Sequence, residues 1–214
     1  LTDIHGKLGY APAMAAELQS ADLVLLPGDL TNFGRGDVAL EVVETIRNMN
    51  PNVLAVMGNC DFPEVLAFLE ENRLSIHAGH RIIDEIAFVG LGGSLPCPIQ
   101  TLNEFTEDQF AAYLDAALDG VPAGMPLVLV SHQPPIDTVV DKVSIGLHVG
   151  SRAVREFIER RQPLVCFSGH IHEAIGQDAI GVTRLINPGP FFEGAYAVAE
   201  IGARVERLEI RRIA

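Results

Sequence analysis

The chain has 214 residues, of which 48% are hydrophobic and 20% are charged. This composition supplies enough apolar side chains for a packed core and excludes a disordered chain, and the length favours one compact domain over residues 1–214. The net charge of −13 disfavours long nucleic acids as partners, because an acidic surface repels their phosphate backbone.

The longest apolar runs span about four residues, far short of the ~20 that a membrane helix needs, so we expect no membrane association. The three cysteines form no C-x-x-C pair, which favours a reducing compartment, and we expect a cytoplasmic protein. Because the chain begins at Leu1 and not at methionine, we expect the first strand to be truncated. The sequence leaves open whether a targeting peptide has been removed.

Short runs rich in valine and leucine recur along the first 170 residues, each followed by Gly, Pro, Asn or Ser. This pattern predicts buried strands at 23–26, 53–56, 87–91, 127–130 and 164–167.

Helical segments are predicted between most of these strands. Pro63 opens a helix that runs through Leu69. A capping box at 106–109 starts another helix, with Phe110, Tyr113, Leu114 and Leu118 on its buried face. Ser151 is the expected cap of a third helix.

The C-terminal part has a different pattern, with strands predicted at 182–186, 195–201 and 205–210, no helix between them, and antiparallel pairing. Strand and helix alternation followed by such a meander predicts a layered α/β domain with two sheets face to face and helices outside.

Nearly all side chains that could bind a metal come directly after an apolar run. The carboxyl ends of strands in such sheets are where ligands bind, so seven side chains should meet at one edge. They are Asp3, His5, Asp29, Asn59, His132, His170 and His172. With Asp29 shared, they offer four bonds to each of two ions. Imidazole, carboxylate and amide ligands without thiolate suit manganese, iron, zinc or nickel.

The blocks Asp3-x-His5, Gly28-Asp29, Gly58-Asn59-x-Asp61, His132 and Gly169-His170-x-His172 resemble the calcineurin-like metallophosphoesterases, in the family's order and over nearly the whole chain. The resemblance implies a four-layer αββα sandwich made of two mixed sheets with helices outside. It also implies a dinuclear centre that activates water for attack on a phosphoryl group.

The resemblance assigns the metal ligands in two sets that share one carboxylate. One ion takes Asp3, His5, Asp29 and His172, and the other takes Asp29, Asn59, His132 and His170. Two divalent transition-metal ions are therefore the expected cofactors, with manganese preferred and iron, zinc or nickel as alternatives.

One position departs from the commoner family pattern Gly-Asn-His. Cys60 stands where that pattern has its histidine, and a thiol is a poorer general acid. Gly58-Asn59-Cys60 resembles a subset of small archaeal and bacterial members that act mainly on phosphodiesters. We hypothesise that His148 lies at the cleft and does part of the missing histidine's work.

We therefore expect a metal-dependent hydrolase of small phosphodiesters, with phosphomonoesters as poorer substrates. Asp29, Asn59 and His148 are the predicted catalytic residues, and Asn59, Cys60 and His148 the predicted substrate contacts. His77 and His80 are interpreted as ordinary loop residues, and Cys97 and Cys166 as inert thiols.

Two other functions remain open from the sequence. One is a protein-binding scaffold with weak or no activity, as a fold of this family serves in the retromer complex, although erosion of the ligands is its hallmark and all seven are present. The other is a nuclease, which the acidic charge disfavours. A small phosphorylated substrate is the expected partner, without membrane or long nucleic acid, and a homo-oligomer stays open.

Overall fold

The computed structural model describes residues 1–213. Its helices are α1 (Ala15–Ser20), α2 (Gly36–Arg47), α3 (Pro63–Glu71), α4 (Glu107–Ala116) and α5 (Arg152–Arg161). Its strands are β1 (Val24–Pro27), β2 (Val53–Val56), β3 (Gly79–Ile83), β4 (Ile86–Leu91), β5 (Leu127–Ser131), β6 (Val165–Phe167), β7 (Gly176–Ile180), β8 (Thr183–Asn187), β9 (Ala195–Ile201) and β10 (Val205–Arg212).

The main sheet is six-stranded and mixed, in the order β3-β4-β5-β6-β8-β7. Its four central strands run parallel, and the edge strands β3 and β7 pair antiparallel to their neighbours. The facing layer consists of a parallel pair, β1-β2, and an antiparallel pair, β9-β10. Parallel neighbours bring the carboxyl ends of β4, β5 and β6 to one edge.

Alternation along the strands divides the core into three clusters. Val128 and Val130 of β5 pack with Leu54 and Val56 of β2, which fills the space between the two strand layers. Leu129, on the opposite face of β5, packs against α4 and α5 instead. The reverse face of β2 packs against α1, α2 and α3. These clusters define four layers, helices, strands, strands and helices, as predicted.

The five strands predicted from apolar runs are present, and their ends lie within one residue of the prediction. The capping box is confirmed, because Thr106 Oγ1 accepts from the Gln109 amide at 3.2 Å and Gln109 Oε1 accepts from the Thr106 amide at 2.9 Å. The Ser151 cap is confirmed by a 3.2 Å bond from the Val154 amide to its Oγ.

The antiparallel pairing predicted for the C-terminal part is confirmed for β9 and β10 and is wrong for β8. Strand β8 does not pair with β9; it lies in the main sheet, parallel to β6 and antiparallel to β7. A short 3-10 turn, Phe191–Glu193, separates β8 from β9. The facing layer also differs from the expected second mixed sheet, because β1-β2 and β9-β10 are separate two-stranded pairs.

The sequence did not predict the two edge strands of the main sheet, β3 and β7. Strand β3 includes His80, which we had interpreted as a loop residue, and β7 is the second. Both are partly exposed, and each begins with a glycine and two polar residues before two apolar ones, so neither has the continuous apolar run that marks the central strands. In residues 1–213, no helix combines the length and the hydrophobicity that crossing a membrane requires.

Candidate metal centre

Each predicted ligand lies just beyond the end of a strand or of the extended N-terminal segment. Residues 1–5 run alongside β1, with the Leu1 amine bonded to Leu25 O and the Asp3 amide to Gly28 O. Asp29 and Asn59 follow β1 and β2, His132 follows β5 directly, and His170 and His172 follow β6. The two parallel strand groups therefore bring their polar ends to the same cleft.

The backbone around these residues is unusually constrained. Four of the seven candidate ligands have left-handed backbone angles: Asp3, His5, Asp29 and His170, with φ between 50° and 65°. Such conformations cost about 1–3 kcal/mol each and persist where the surroundings impose them, often at functional sites.

Position 58 requires a glycine because its backbone lies very close to Asp29. A Cβ atom at this position would overlap the Asp29 carboxylate, so the turns after β1 and β2 pack directly against each other. Gly28 differs, because its own φ is 90° and a Cβ there would also clash with the His132 ring. Of these two glycines, only Gly28 has a positive φ.

One half of the site joins Asp3, His5 and His172. Nε2 of His172 lies 3.2 Å from Asp3 Oδ1 and 3.3 Å from Nε2 of His5. Asp3 is buried and His5 is nine-tenths buried, whereas the His172 side chain is 40% exposed. This half therefore opens toward solvent through His172.

The other half joins His132, Asn59 and Asp29, all buried. Nε2 of His132 lies 2.8 Å from Asn59 Oδ1 and 3.6 Å from Asp29 Oδ1. The opposite ring atom, Nδ1, donates to the Pro27 carbonyl at 2.8 Å, which leaves Nε2 as the ligand atom.

Asp29 connects the halves, because its two oxygens face different imidazoles. Oδ1 faces His132 and Oδ2 lies 3.6 Å from His5 Nε2. Asp3 is also within reach of both halves, since ligand atoms of Asp3, Asp29 and His132 lie within 4.8 Å of one another. The resemblance had assigned Asp3 to one ion only.

His170 is held near the centre by weaker contacts than the other six. Its ring centroid is 5.1 Å from that of His132, and its amide donates to Asp3. Its Nε2 lies 3.6 Å from the Sγ of Cys97, which we had interpreted as an inert thiol. Cys166 is fully buried in the core, as expected.

The electrostatics favour bound cations. Burial alone would lower the pKa of His132, but the charge of Asp29 outweighs it and raises that pKa to about 9. In return, the charge of His132 and its hydrogen bond overcome the effect of burial and lower the pKa of Asp29. Burial and the charge of His132 lower the pKa of His170 to about 4, which favours the neutral, ligating ring.

The donor set fits a pair of transition-metal ions. Two ligands that each lie ~2.1 Å from one ion are about 3.0–3.4 Å apart, close to the separations of 3.2 and 3.3 Å around His172. His5 and His172 also turn two imidazole nitrogens toward each other, an arrangement that a shared cation stabilises. The residues present can thus hold the ions that the sequence predicts.

Cys60 lies inside this arrangement, with only 8% of its surface exposed. Its amide donates to Asp29 Oδ1 at 2.8 Å, and its sulfur is within 4.8 Å of ligand atoms of His5 and Asp29. Burial and the charge of Asp29 raise the pKa of the thiol, which makes it a poor nucleophile in the metal-free protein.

Asp61 was quoted in the motif without a role, and the structure shows what it binds. Its carboxylate is fully buried and accepts from the amides of Leu30, Thr31 and Gly58 and from the Thr31 hydroxyl. Asp61 therefore ties the turn after β1 to the turn after β2. Burial and the nearby Asp29 raise its pKa to about 6.

Phe192 packs on the open half of the centre. Its ring lies edge-on to His5 and His172, at centroid distances of 5.5 and 5.4 Å, and Lys7 Nζ lies 4.4 Å from its centroid. Phe191, its neighbour, is a core residue.

His148 is not among the residues that the structure brings together. Its one polar side-chain contact within residues 1–213 is with Asp141, between Nδ1 and Oδ1 at 2.8 Å. The loop that carries it does approach the site, because the next residue, Val149, is bonded to the side chain of Gln133, which follows His132.

Comparison with known proteins agrees with this geometry. Residues 1–174 match the family model for calcineurin-like phosphoesterases. The chain belongs to the calcineurin-like phosphoesterase family, a family of phosphoric ester hydrolases, and several of its candidate ligands lie close enough together to hold a metal ion.

Relatives in other organisms support the assignment. An uncharacterized protein of Methanocaldococcus jannaschii is 39% identical over 196 residues, which cover 89% of this chain and 86% of that protein. A probable cyclic nucleotide phosphodiesterase of Synechococcus is 30% identical over 74% of this chain, and one of Rhodopseudomonas palustris is 27% identical over 71%. The matches cover 61% and 57% of those two longer proteins.

Solved structures share the fold. A Thermus thermophilus protein superposes with a TM-score of 0.76 at 21% identity, covering 99% of this chain and 96% of that one. A dimetal phosphatase from Danio rerio gives a TM-score of 0.66 at 18% identity, covering 97% and 86%.

Proposed function

We propose that this protein hydrolyses small phosphodiesters with two divalent metal ions, that manganese is the preferred ion, and that it acts in the cytoplasm. The observation that carries the proposal is the position of Asp29, whose two carboxylate oxygens face His5 and His132 on opposite sides. A carboxylate in that position can be shared by two ions, with Asp3, His172, Asn59 and His170 completing their ligands.

The bound ions would lower the pKa of a water molecule and offset the charge that develops on the phosphoryl group. The protein's own residues orient them. The Pro27 carbonyl holds His132 Nδ1, and the Cys60 amide holds one oxygen of Asp29, so both side chains keep their ligand atoms directed at the cleft. Asn59 and Cys60 then line the place where the substrate phosphate is held.

Two observations favour diesters over monoesters. Arginine often binds phosphate groups, and within residues 1–213 no arginine hydrogen-bonds to a candidate ligand; Arg35, for example, pairs with Glu64 and Arg211 with Glu17. In addition, two relatives are described as probable cyclic nucleotide phosphodiesterases. A small diester also suits a protein with a net charge of −13, because the metals supply the local attraction.

The test compares two chromogenic esters with protein loaded with Mn, Ni, Zn or Mg. We expect the manganese protein to turn over bis(4-nitrophenyl) phosphate faster than 4-nitrophenyl phosphate, and Asp29→Ala to abolish both activities. A faster monoester reaction would contradict the diester assignment. A metal-loaded protein with neither activity would favour the scaffold function instead. A screen of cyclic nucleotides, dinucleotides and glycerophosphodiesters would then identify the substrate class.

A further inference from the structure

The loop of residues 141–150 carries a histidine and an aspartate in the arrangement of a proton-transfer pair. His148 Nδ1 lies 2.8 Å from Asp141 Oδ1. The Asp141 carboxylate is completely buried, whereas 32% of the His148 side chain is exposed. The pair therefore has a fixed inner partner and an imidazole that reaches the surface.

Asp141 is held in place by three further donors. Its Oδ1 accepts from the Thr138 amide at 2.8 Å and the Thr138 hydroxyl at 3.2 Å, and its Oδ2 accepts from the Gly150 amide at 2.9 Å. An ionised carboxylate can only accept, so the hydrogen between the pair belongs to His148 Nδ1. Nε2, on the other side of the ring, is then the atom that exchanges a proton.

Gln133 connects this loop to the metal centre. It follows His132 in the chain and is 1% exposed. Its Nε2 donates to Val149 O at 2.9 Å, and its Oε1 accepts from the Leu95 amide at 3.0 Å. Leu95 belongs to the loop of Cys97, which lies 3.6 Å from His170. The buried amide of Gln133 thus bonds to two loops next to the metal centre.

We propose that His148 is the catalytic acid that protonates the leaving group, and that Asp141 and Gln133 are positioning residues, Asp141 by orienting its ring and Gln133 by fixing its loop beside the metal centre. The inference rests on the proposed phosphodiesterase function. Two thiols, those of Cys60 and Cys97, lie beside the centre, and a thiol is a weak hydrogen-bond donor. Cys60 is also almost fully buried, so neither thiol suits this role.

The proton balance is simple. The oxygen of a water molecule forms a bond to phosphorus, and the bond from phosphorus to the leaving oxygen breaks with its electron pair remaining on that oxygen. The leaving oxygen takes the proton from His148 Nε2 and departs as an alcohol. The attacking water releases a proton to solvent, from which His148 is reprotonated, so one water is consumed for each diester cleaved.

The test is a series of methyl aryl phosphates whose leaving groups range from 4-nitrophenol to phenol, hydrolysed by manganese-loaded protein. Because phenol leaves poorly without a proton, His148→Gln should lower kcat on the phenyl ester about 100-fold and on the 4-nitrophenyl ester less than about 5-fold. Asp141→Asn should show the same pattern with a smaller loss. His80→Gln, a substitution in strand β3, is the matched control and should change neither rate.

Where Asp141→Asn does not fold, Gln133→Ala replaces it, since it frees Val149 while leaving the pair intact. The same dependence on leaving group is expected. A loss that is equal across the series, or no loss in His148→Gln, would overturn the inference while leaving the phosphodiesterase function in place. A wild-type protein that cleaves no member of the series would overturn both.

Discussion

Nε2 of His132 lies 2.8 Å from Oδ1 of Asn59. Because Nδ1 of the same ring already donates to a backbone carbonyl, a neutral His132 presents a lone pair to the amide oxygen. Two acceptors at this distance repel each other unless a proton or a cation lies between them. Despite burial of the ring, the charge of Asp29 raises the pKa of His132 to about 9, so in the metal-free protein we expect a proton on Nε2 to meet this need. Metal binding should therefore displace protons from the site.

Replacement of Asp29 tests the shared carboxylate. We expect Asp29→Ala to lower both the metal content and the diesterase rate, the latter by orders of magnitude, because both halves of the site lose a ligand. Metal analysis by mass spectrometry and a chromogenic diester assay measure the two effects. Asp22→Ala, at an exposed aspartate before β1, is the control and should retain both. Near-normal turnover of Asp29→Ala would refute the bridge.

Asp61 should matter without touching a metal. Each carboxylate oxygen of Asp61 accepts two hydrogen bonds. In Asp61→Asn an NH₂ group replaces one of these oxygens, so two N–H or O–H donors would point at another donor. We expect a loss of about 1–3 kcal/mol in the free energy of unfolding and weaker metal binding. Urea unfolding and a metal titration measure these changes, with exposed Asp119→Asn as control. Unchanged values for both quantities would show that the two turns do not depend on this carboxylate.

Phe192 should stabilise the open half of the centre. Removing its ring in Phe192→Ala deletes two edge contacts with ligand imidazoles, each worth about 0.5–1.5 kcal/mol. We expect roughly ten-fold weaker metal binding in a calorimetric titration. Phe33→Ala, at a ring that is 45% exposed, should bind metal as the wild type does. Equal affinities of the two variants would exclude this role.

His77 should make the protein less stable in acid. Its Nδ1 accepts from the Gly92 amide at 2.9 Å, and burial lowers its pKa to about 4 from the ordinary 6.5. Between pH 6.5 and 4, His77 binds a proton in the unfolded chain but stays neutral in the folded protein. The stability that neutral His77 contributes, at most about 3 kcal/mol, is therefore present above pH 6.5 and is lost as the pH falls through about 4.

The substitution His77→Asn preserves an acceptor for Gly92 and removes the titration. In chelator-treated protein, we expect a shallower fall of the unfolding free energy between pH 7 and 4 than in the wild type. His80→Asn serves as control and should follow the wild-type curve. An identical slope in His77→Asn would mean that other groups carry the acid sensitivity.

The central strands and the seven ligand positions could be predicted because both depend on local patterns. A buried parallel strand is a continuous apolar run, and a ligand at its carboxyl end directly follows that run. The partners that hold the ligands could not be predicted in this way. Gln133 bonds to Leu95 and Val149, each in a different loop, and no spacing in the sequence marks such contacts.

The edge strands and the environment of His77 could not be predicted, for related reasons. Strand β3 is half-exposed, so its side chains do not show a buried face. His77 looked like a loop residue, yet it packs between Phe105 and Tyr113 at centroid distances of 6.1 and 5.0 Å. The aromatic partners lie about thirty residues away in the sequence, one before α4 and one within it, so no local pattern marks this contact.

The most direct test of the metal centre is anomalous X-ray scattering from a crystal soaked in Mn²⁺. We predict two peaks about 3.5–4 Å apart, one on each side of the Asp29 carboxylate, with His5 and His172 at one peak and His132 and Asn59 at the other. A single peak, no peak, or peaks that do not contact Asp29 would contradict a dinuclear site.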